Sequence, residues 1–326
     1  IDKFRAKVRG NMIDRCLGVI RAHPETAIEV SELIRTMVLR QQPHDTEDEI
    51  GQTLTSALSS LAQDEEEEKQ RTGKCIAAYA HLLALLLQDE HFFDNNIESL
   101  RENINEYLGF LKVSPSTSSE EMPPWIPYIL LVIETLLCHD ERPVAAQCTA
   151  PNSLDEAVPE PSIQLPTPII GDEQRTQILE YLLEMLPRVG KEETLAVAAL
   201  RVLVILTRNR RLAKVVGDKK NLQRLFLMAK QLSGSGSERF KQTKLTAHIM
   251  TVLRHIVEDE ETIKQIMRAE IKIGFPNLQR TQRGHSDVSN YLRAMTPIAL
   301  RAPDLFVEVT NEMLRFTRWA SPSSDN

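Results

Sequence analysis

RVLVILTRNRRLAKVV, residues 201–216, is the stretch on which the fold turns. An apolar run meets three arginines, and then apolar residues resume. Beside it stands VLRHIVEDEETIKQIM, residues 252–267. Val202 matches Val252, Leu203 matches Leu253 and Leu206 matches Ile256. With one residue inserted in the second copy, Leu212 matches Ile263 and Val216 matches Met267, at an offset of about 50. Each copy reads as an apolar helix, a charged turn and a second short helix. The apolar positions agree while the turns differ completely in sign, RNRR against EDEE. Shared apolar positions with free turns are the signature of units that bury one face on their neighbours and point their turns outward. YILLVIETLLCHDERP, residues 128–143, is a looser third copy that loses its second helix to a proline-rich stretch. The expected fold is all-α, an armadillo- or HEAT-like α-solenoid.

Outward from these copies, nearly every segment has helical period. Met12, Ile13, Cys16, Leu17 and Ile20 lie on one such stripe, which HPET at 23–26 interrupts at Pro24. A second helix runs through Ile28 to Val38. A third begins at Asp45 or Thr46 and carries Ile50, Leu54, Ala57, Leu58 and Leu61. DEEEE at 64–68 reads as a solvated loop. CIAAYAHLLALLLQ, 75–88, is apolar nearly all round and therefore buried. A fifth helix is expected over 94–112, a loop over 113–124 and an apolar helix over 125–139. Helices resume over 172–187, 191–208, 210–217 and 219–232. After a glycine-serine loop at 233–237 they continue over 238–257, 259–272, 286–297 and 302–318, with a break at IGFPN, 273–277. Residues 140–171 hold six prolines and no periodic pattern. The expected organisation is a first solenoid part at 1–139, a proline-rich linker at 140–171, a second part at 172–318 and a tail at 319–326.

Composition narrows the function classes. Apolar content of 42% with 26% charged residues is that of a folded soluble chain. A net charge of −7 disfavours a chain-wide nucleic-acid binder. The cysteines Cys16, Cys75, Cys138 and Cys148 form no CxxC pair and point to a reducing compartment, cytoplasmic or nuclear. The longest apolar runs, about ten residues, are too short for a bilayer. The chain opens on Ile1 and not Met, which points to a fragment of something longer.

Catalytic and ligand motifs are absent from the sequence. There is no phosphate loop and no HExxH, and the histidines show no metal-ligand spacing, so no cofactor and no metal is expected. Cys138-His139 is read as a packed thiol beside an imidazole, since adjacent helical residues diverge. The acidic residues near Ala57 resemble a ubiquitin-interacting motif, but Leu61 stands where the serine belongs. One cluster remains as a candidate partner-binding site: Arg208, Arg210, Arg211 and Lys214, extended by Lys219, Lys220 and Arg224. It fits an acidic protein partner. Nucleic acid fits less well, because no aromatic is interleaved before Phe226 to stack on bases. The plain alternative is a cation cluster at a helix end.

Five stretches together carry a family resemblance: 11–34, 123–137, 195–209, 245–271 and 299–314. They are similar to the helical scaffold of the giant HECT-type E3 ubiquitin ligases. The resemblance implies a long armadillo-like array, with ubiquitin-binding modules and a catalytic HECT domain elsewhere in the parent protein. That domain's catalytic cysteine follows a threonine, and no Thr-Cys pair exists here; Cys148 follows Gln147. The implied role is a non-catalytic, substrate-recruiting segment with protein substrates and ubiquitin-system components as partners. The rival reading is an independent armadillo-like adaptor or transport protein with no ligase attached.

Overall fold

The structure, a computed structural model, describes residues 2–39, 45–112, 122–146, 160, 163, 165–190, 192–234, 239–281 and 288–314. The expectations for the loop at 113–121, for Cys148 and most of the proline-rich stretch, for the loop at 235–237 and for the tail at 319–326 lie outside the described residues.

The described residues are helical and contain no strand. In chain order the helices are α1 (Asp2–Ala22), α2 (Ala27–Leu39), α3 (Asp45–Ala62), α4 (Glu66–Leu86), α5 (Glu90–Glu102), α6 (Ile104–Gly109), α7 (Ile126–Asp140) and α8 (Asp172–Val189). They continue as α9 (Glu193–Leu206), α10 (Arg210–Val216), α11 (Lys219–Gly234), α12 (Arg239–Ile256), α13 (Glu260–Thr281), α14 (Val288–Ala299) and α15 (Pro303–Met313). A single 3-10 turn, Pro24–Thr26, joins α1 to α2, so Pro24 ends the first helix as its fixed φ and missing N–H require.

Two compact units share the chain. The first holds residues 1–206 and 219–249, the second residues 207–218 and 250–326. In the first, helices pack on partners one step removed in the chain: α2 on α4, α3 on α5, α7 on α9. α4 and α7 also pack together, and α8 packs on α9 and α11. In the second, α13 packs on both α14 and α15, around Met267, Ile271, Tyr291, Met295, Phe306 and Val309. Packing of each helix on near neighbours is the arrangement of an α-solenoid.

The local copies prove more regular than the sequence reading. α4, α9 and α12 end at Leu86, Leu206 and Ile256. After three further residues, α5, α10 and α13 begin at Glu90, Arg210 and Glu260. The third residue of each turn is Asp89, Asn209 or Asp259, and its side chain caps the next helix. Asp89 accepts from the Phe92 N–H at 3.0 Å, Asn209 from the Arg211 N–H at 2.9 Å and Asp259 from the Thr262 N–H at 2.9 Å. From Leu206 through the cap and into the second helix the offset between the second and third copies is therefore 50, with no residue inserted in the turn, and Leu212 corresponds to Thr262 and Ala213 to Ile263. All four are buried. The sequence alignment slipped by one because Thr262 looks polar; its hydroxyl turns back to the Asp259 carboxylate at 2.9 Å.

Four expected elements differ. The acidic run at 64–68 is not wholly a loop, because Glu66, Glu67 and Glu68 form the first turn of α4, where carboxylates favour the helix dipole. α4 also passes Trp125 closely: a Cβ at Gly73 would meet the indole at 3.0 Å. The single helix expected over 94–112 is two, interrupted at Asn103. That side chain donates to the Ser99 carbonyl at 2.7 Å and accepts from the Ser59 hydroxyl at 2.6 Å, competing with the helical backbone. The break expected at 273–277 is absent, and α13 continues to Thr281. Packing along the Met267–Ile271–Met295 seam overrides the local Gly and Pro signals. Finally Cys138 is exposed and not packed; the core face of α7 is carried by Ile133, Leu136 and Leu137.

Candidate partner-binding turn

The basic turn is built by the cap geometry. α9 is buried on its Leu195, Ala199, Val202 and Leu206 side and ends where Thr207 is itself buried. Asn209 then turns the chain into α10. With Leu212, Ala213 and Val216 buried, the alternate positions Arg208, Arg210, Arg211 and Lys214 are all exposed. Among the described residues none of the four forms an ion pair. All four side chains are therefore open to solvent on this turn, and what they bind is a separate question.

The structure adds an unexpected neighbour. Within the second unit, the basic turn packs against the acidic turn of the following copy. Thr207 Oγ1 and His255 Nδ1 share a hydrogen bond of 2.8 Å. Gly217 lies so close that a Cβ there would stand 3.0 Å from Ile256 Cγ2 and 3.4 Å from Thr262 Cγ2. The Asp259 carboxyl is held below the usual carboxylate range, chiefly by the Thr262 N–H and hydroxyl, and further by the positive charges of Lys214 and Arg210. Opposite signs in RNRR and EDEE are thus complementary and not merely variable. No signal in one copy alone discloses this; it needs both copies and their stacking.

A second polar feature was not foreseen. Glu134, nearly buried on α7, accepts from Arg201 of α9 at 2.8 Å (Nε) and 2.6 Å (Nη2). Burial pushes the Glu134 carboxyl up, and the Arg201 guanidinium opposes that shift. A third closes the proline-rich stretch. The Asp140 carboxylate accepts the Ile169 and Ile170 N–H groups at 2.8 and 2.9 Å. Arg175 binds Glu141 at 2.7 Å, Asp140 at 3.5 Å and the Ile170 carbonyl at 3.0 Å. Asp140 thus stands in LLCHD where Asp89 stands in LLLQD, and it caps returning backbone instead of an immediate second helix.

Other candidate groups are placed as follows. Cys16 is half-buried and Cys75 buried, and burial raises both thiols. Ile50, Leu54 and Leu58 of α3 face the core, so the apolar stripe of the helix resembling a ubiquitin-interacting motif is already occupied. No group of three or more His, Cys, Asp or Glu among the described residues is placed to hold a metal ion. No described helix is long and apolar enough to cross a membrane.

No protein-family profile matches the chain, and no solved structure matches it significantly. The chain is 46% identical over 322 residues to a Neurospora crassa protein named E3 ubiquitin-protein ligase TOM1-like. The match takes in 98% of this chain and 8% of that protein. Along almost its whole length, the chain is therefore similar to one small segment of a far larger protein that bears a ubiquitin-ligase name.

Proposed function

We propose that this chain is a non-catalytic helical scaffold segment of a large E3 ubiquitin ligase of the HECT type, acting in the cytoplasm or nucleus. The observation that carries the reading is the 46% identity across nearly the whole chain to a protein named E3 ubiquitin-protein ligase TOM1-like. The all-helical array supports it, and so do Cys16 and Cys75, whose thiols burial raises away from the accessible thiolate that a transferring cysteine needs; the exposed Cys138 follows Leu137 and not a threonine. The scaffold's contribution is geometric: it holds a protein substrate within reach of a distant transferring domain.

The basic turn, Arg208, Arg210, Arg211 and Lys214, is the proposed place for an acidic partner. Such a partner competes with Asp259 for Arg210 and Lys214, so Arg208 and Arg211 are its better contacts. The test uses the full-length parent protein with ubiquitin, activating and conjugating enzymes. Reversing Arg208 and Arg211 to Glu is expected to lower transfer to an acidic substrate while leaving autoubiquitination unchanged. Equal loss of both activities counts against a recruiting role. A thioester formed between ubiquitin and any cysteine of residues 1–326 overturns the non-catalytic assignment.

A further inference from the structure

α1 is apolar on two sides. On one, Ile13, Leu17 and Ile20 are buried, and the Tyr79 hydroxyl of α4 donates to the Leu17 carbonyl at 3.3 Å. This side carries the packing of α1 on α2 and α4. Phe4, Val8, Met12 and Val19 form the other stripe. At about 100° per residue these four fall within about 80° of one another, centred about 140° round the helix from the buried three. Phe4 is 73% exposed, and the other three lie between 42% and 48%. Among the described residues, no other helix of the first unit leaves four large apolar side chains open along one side.

The shape and charge of this stripe select its occupant. It is narrow, and it runs about 22 Å from Phe4 to Val19 at about 1.5 Å per residue. A narrow stripe is the seam that one helix buries against another. A membrane-surface helix instead sets one apolar face against a polar one, and the side of α1 that would be polar is already packed in the unit. A second copy of α1 is disfavoured by charge. The helix carries six Lys or Arg against two Asp, in a chain whose net charge is −7, and two such helices side by side repel. Lys7 and Arg15 are exposed and form no ion pair among the described residues. Arg15 stands within the stripe, seven positions after Val8 and four before Val19. A guanidinium covered by an opposing helix needs a carboxylate from that helix. Most of the matched relative lies outside this segment, which takes up 8% of it. In a helical array each helix buries its apolar sides on near neighbours, so a helix apolar on two sides has a neighbour on each.

We infer that the open side of α1 is an internal docking surface, which seats an acidic amphipathic helix from another part of the parent protein. The apolar stripe of that helix lies along Phe4, Val8, Met12 and Val19, and one of its carboxylates meets Arg15. The interface joins this segment to the rest of the polypeptide and fixes where the array stands within it. The inference rests on the reading of the chain as one segment of a large protein, and it does not need that protein to be a ligase. Docking is read from labelling and cross-linking, and ubiquitin transfer from the assay given above, so either can fail alone.

The experiment compares the 326-residue chain with the full-length parent protein, each carrying Val8→Cys. Maleimide labelling is followed by mass spectrometry of the peptide that holds the new thiol, so the native cysteines do not interfere. The expected rate is about tenfold or more lower in the parent, as for a face uncovered at most about a tenth of the time. Phe4→benzoylphenylalanine is then photo-cross-linked in the parent. The expected partner peptide lies outside residues 1–326 and carries Asp or Glu beside an apolar stripe of helical period. Arg15→Glu is expected to lower the cross-link yield and speed the labelling, while Arg15→Lys leaves both unchanged. Equal labelling rates in the two proteins overturn the inference. So do a missing cross-link, a cross-link to a second copy, to a separate protein or within residues 1–326, and a partner peptide without carboxylates. Sedimentation of the 326-residue chain with phosphatidylserine vesicles, lost on Arg15→Glu, assigns the face to a membrane and overturns it too. Phe4, Val8 and Arg15 are all exposed, so the three positions are altered without touching the core of the first unit.

Discussion

Asp259 does two things with one carboxylate: it caps α13 and it faces Lys214 and Arg210. Replacing it by Ala removes the cap and is expected to cost about 0.5–2 kcal/mol, read from urea midpoints. Its depressed carboxyl contributes stability at pH values above the ordinary carboxylate range, near 4, and that contribution is lost as pH falls through the lower folded-state value. Asp259→Asn is therefore expected to flatten the acid side of the stability profile below about pH 4; an unchanged slope there refutes the assignment. Glu134 behaves oppositely. Its raised carboxyl favours the protonated form, so its charge weighs against folding as pH rises through the folded-state value, and only Arg201 offsets this. Arg201→Ala, which strands a nearly buried acceptor, is expected to destabilise by about 1–3 kcal/mol. Changing Glu134 and Arg201 together to Leu should recover most of that loss, and a double variant as unstable as the single one argues against stranding.

Among elements, the two facing turns make the sharpest claim. Reversing Arg210 and Lys214 to Glu sets like charges against Asp259, the carboxylate on which those two cations act, whereas Arg208 and Arg211 are not among the charges acting on it. The first pair should lower the melting temperature more, by an amount that shrinks in high salt, since exposed pairs contribute only about 0.2–1 kcal/mol each. Adding Asp259→Lys to the first pair should restore part of the loss. Equal effects of the two double reversals, independent of salt, would show the turns do not communicate. Gly217→Ala brings a methyl within contact of Ile256 and is expected to cost about 1–3 kcal/mol as an overpacked site. Much of this was legible beforehand. Leu206, Val202, Ile256 and Val252 are buried where the apolar match put them, and the four basic side chains are exposed. The partnership of the turns was not legible, because charge complementarity between copies depends on how they stack, and a sequence match compares copies without placing them. Asp140 and Arg175 were missed for a related reason: the capping position was visible in LLCHD, but its acceptor's partners return only after residues 141–168.

At the scale of the whole molecule, near-neighbour packing predicts that damage stays local. Leu206 is fully buried, and Leu206→Ala is expected to cost about 2–5 kcal/mol. Native-state hydrogen exchange should show faster amides in α7 and α9, with α1 and α2 unchanged. A uniform loss of protection would show that the first unit opens only as one block. The all-helical fold class was readable from period and composition alone, because no segment alternates with a strand's period of two. The solenoid order followed from three imperfect copies; Asn209 and Asp259 align two of them, and Asp89 marks a further copy at α4–α5 that the sequence reading did not count.

The Asp140–Arg175 closure makes the proline-rich stretch a detour with a fixed entrance and exit. Ile169 and Ile170 are buried beside the end of α7, so the chain re-enters the array at a set point whatever lies between. Loop-closure entropy grows only with the logarithm of length, and halving or doubling residues 141–168 should change stability by about 0.6 kcal/mol. The array thus has an insertion port. A reporter domain spliced between Arg142 and Glu160 should leave melting nearly unchanged, provided Asp140 is kept. The same splice in an Asp140→Ala background should not be tolerated as well, and that contrast locates the anchorage in one carboxylate.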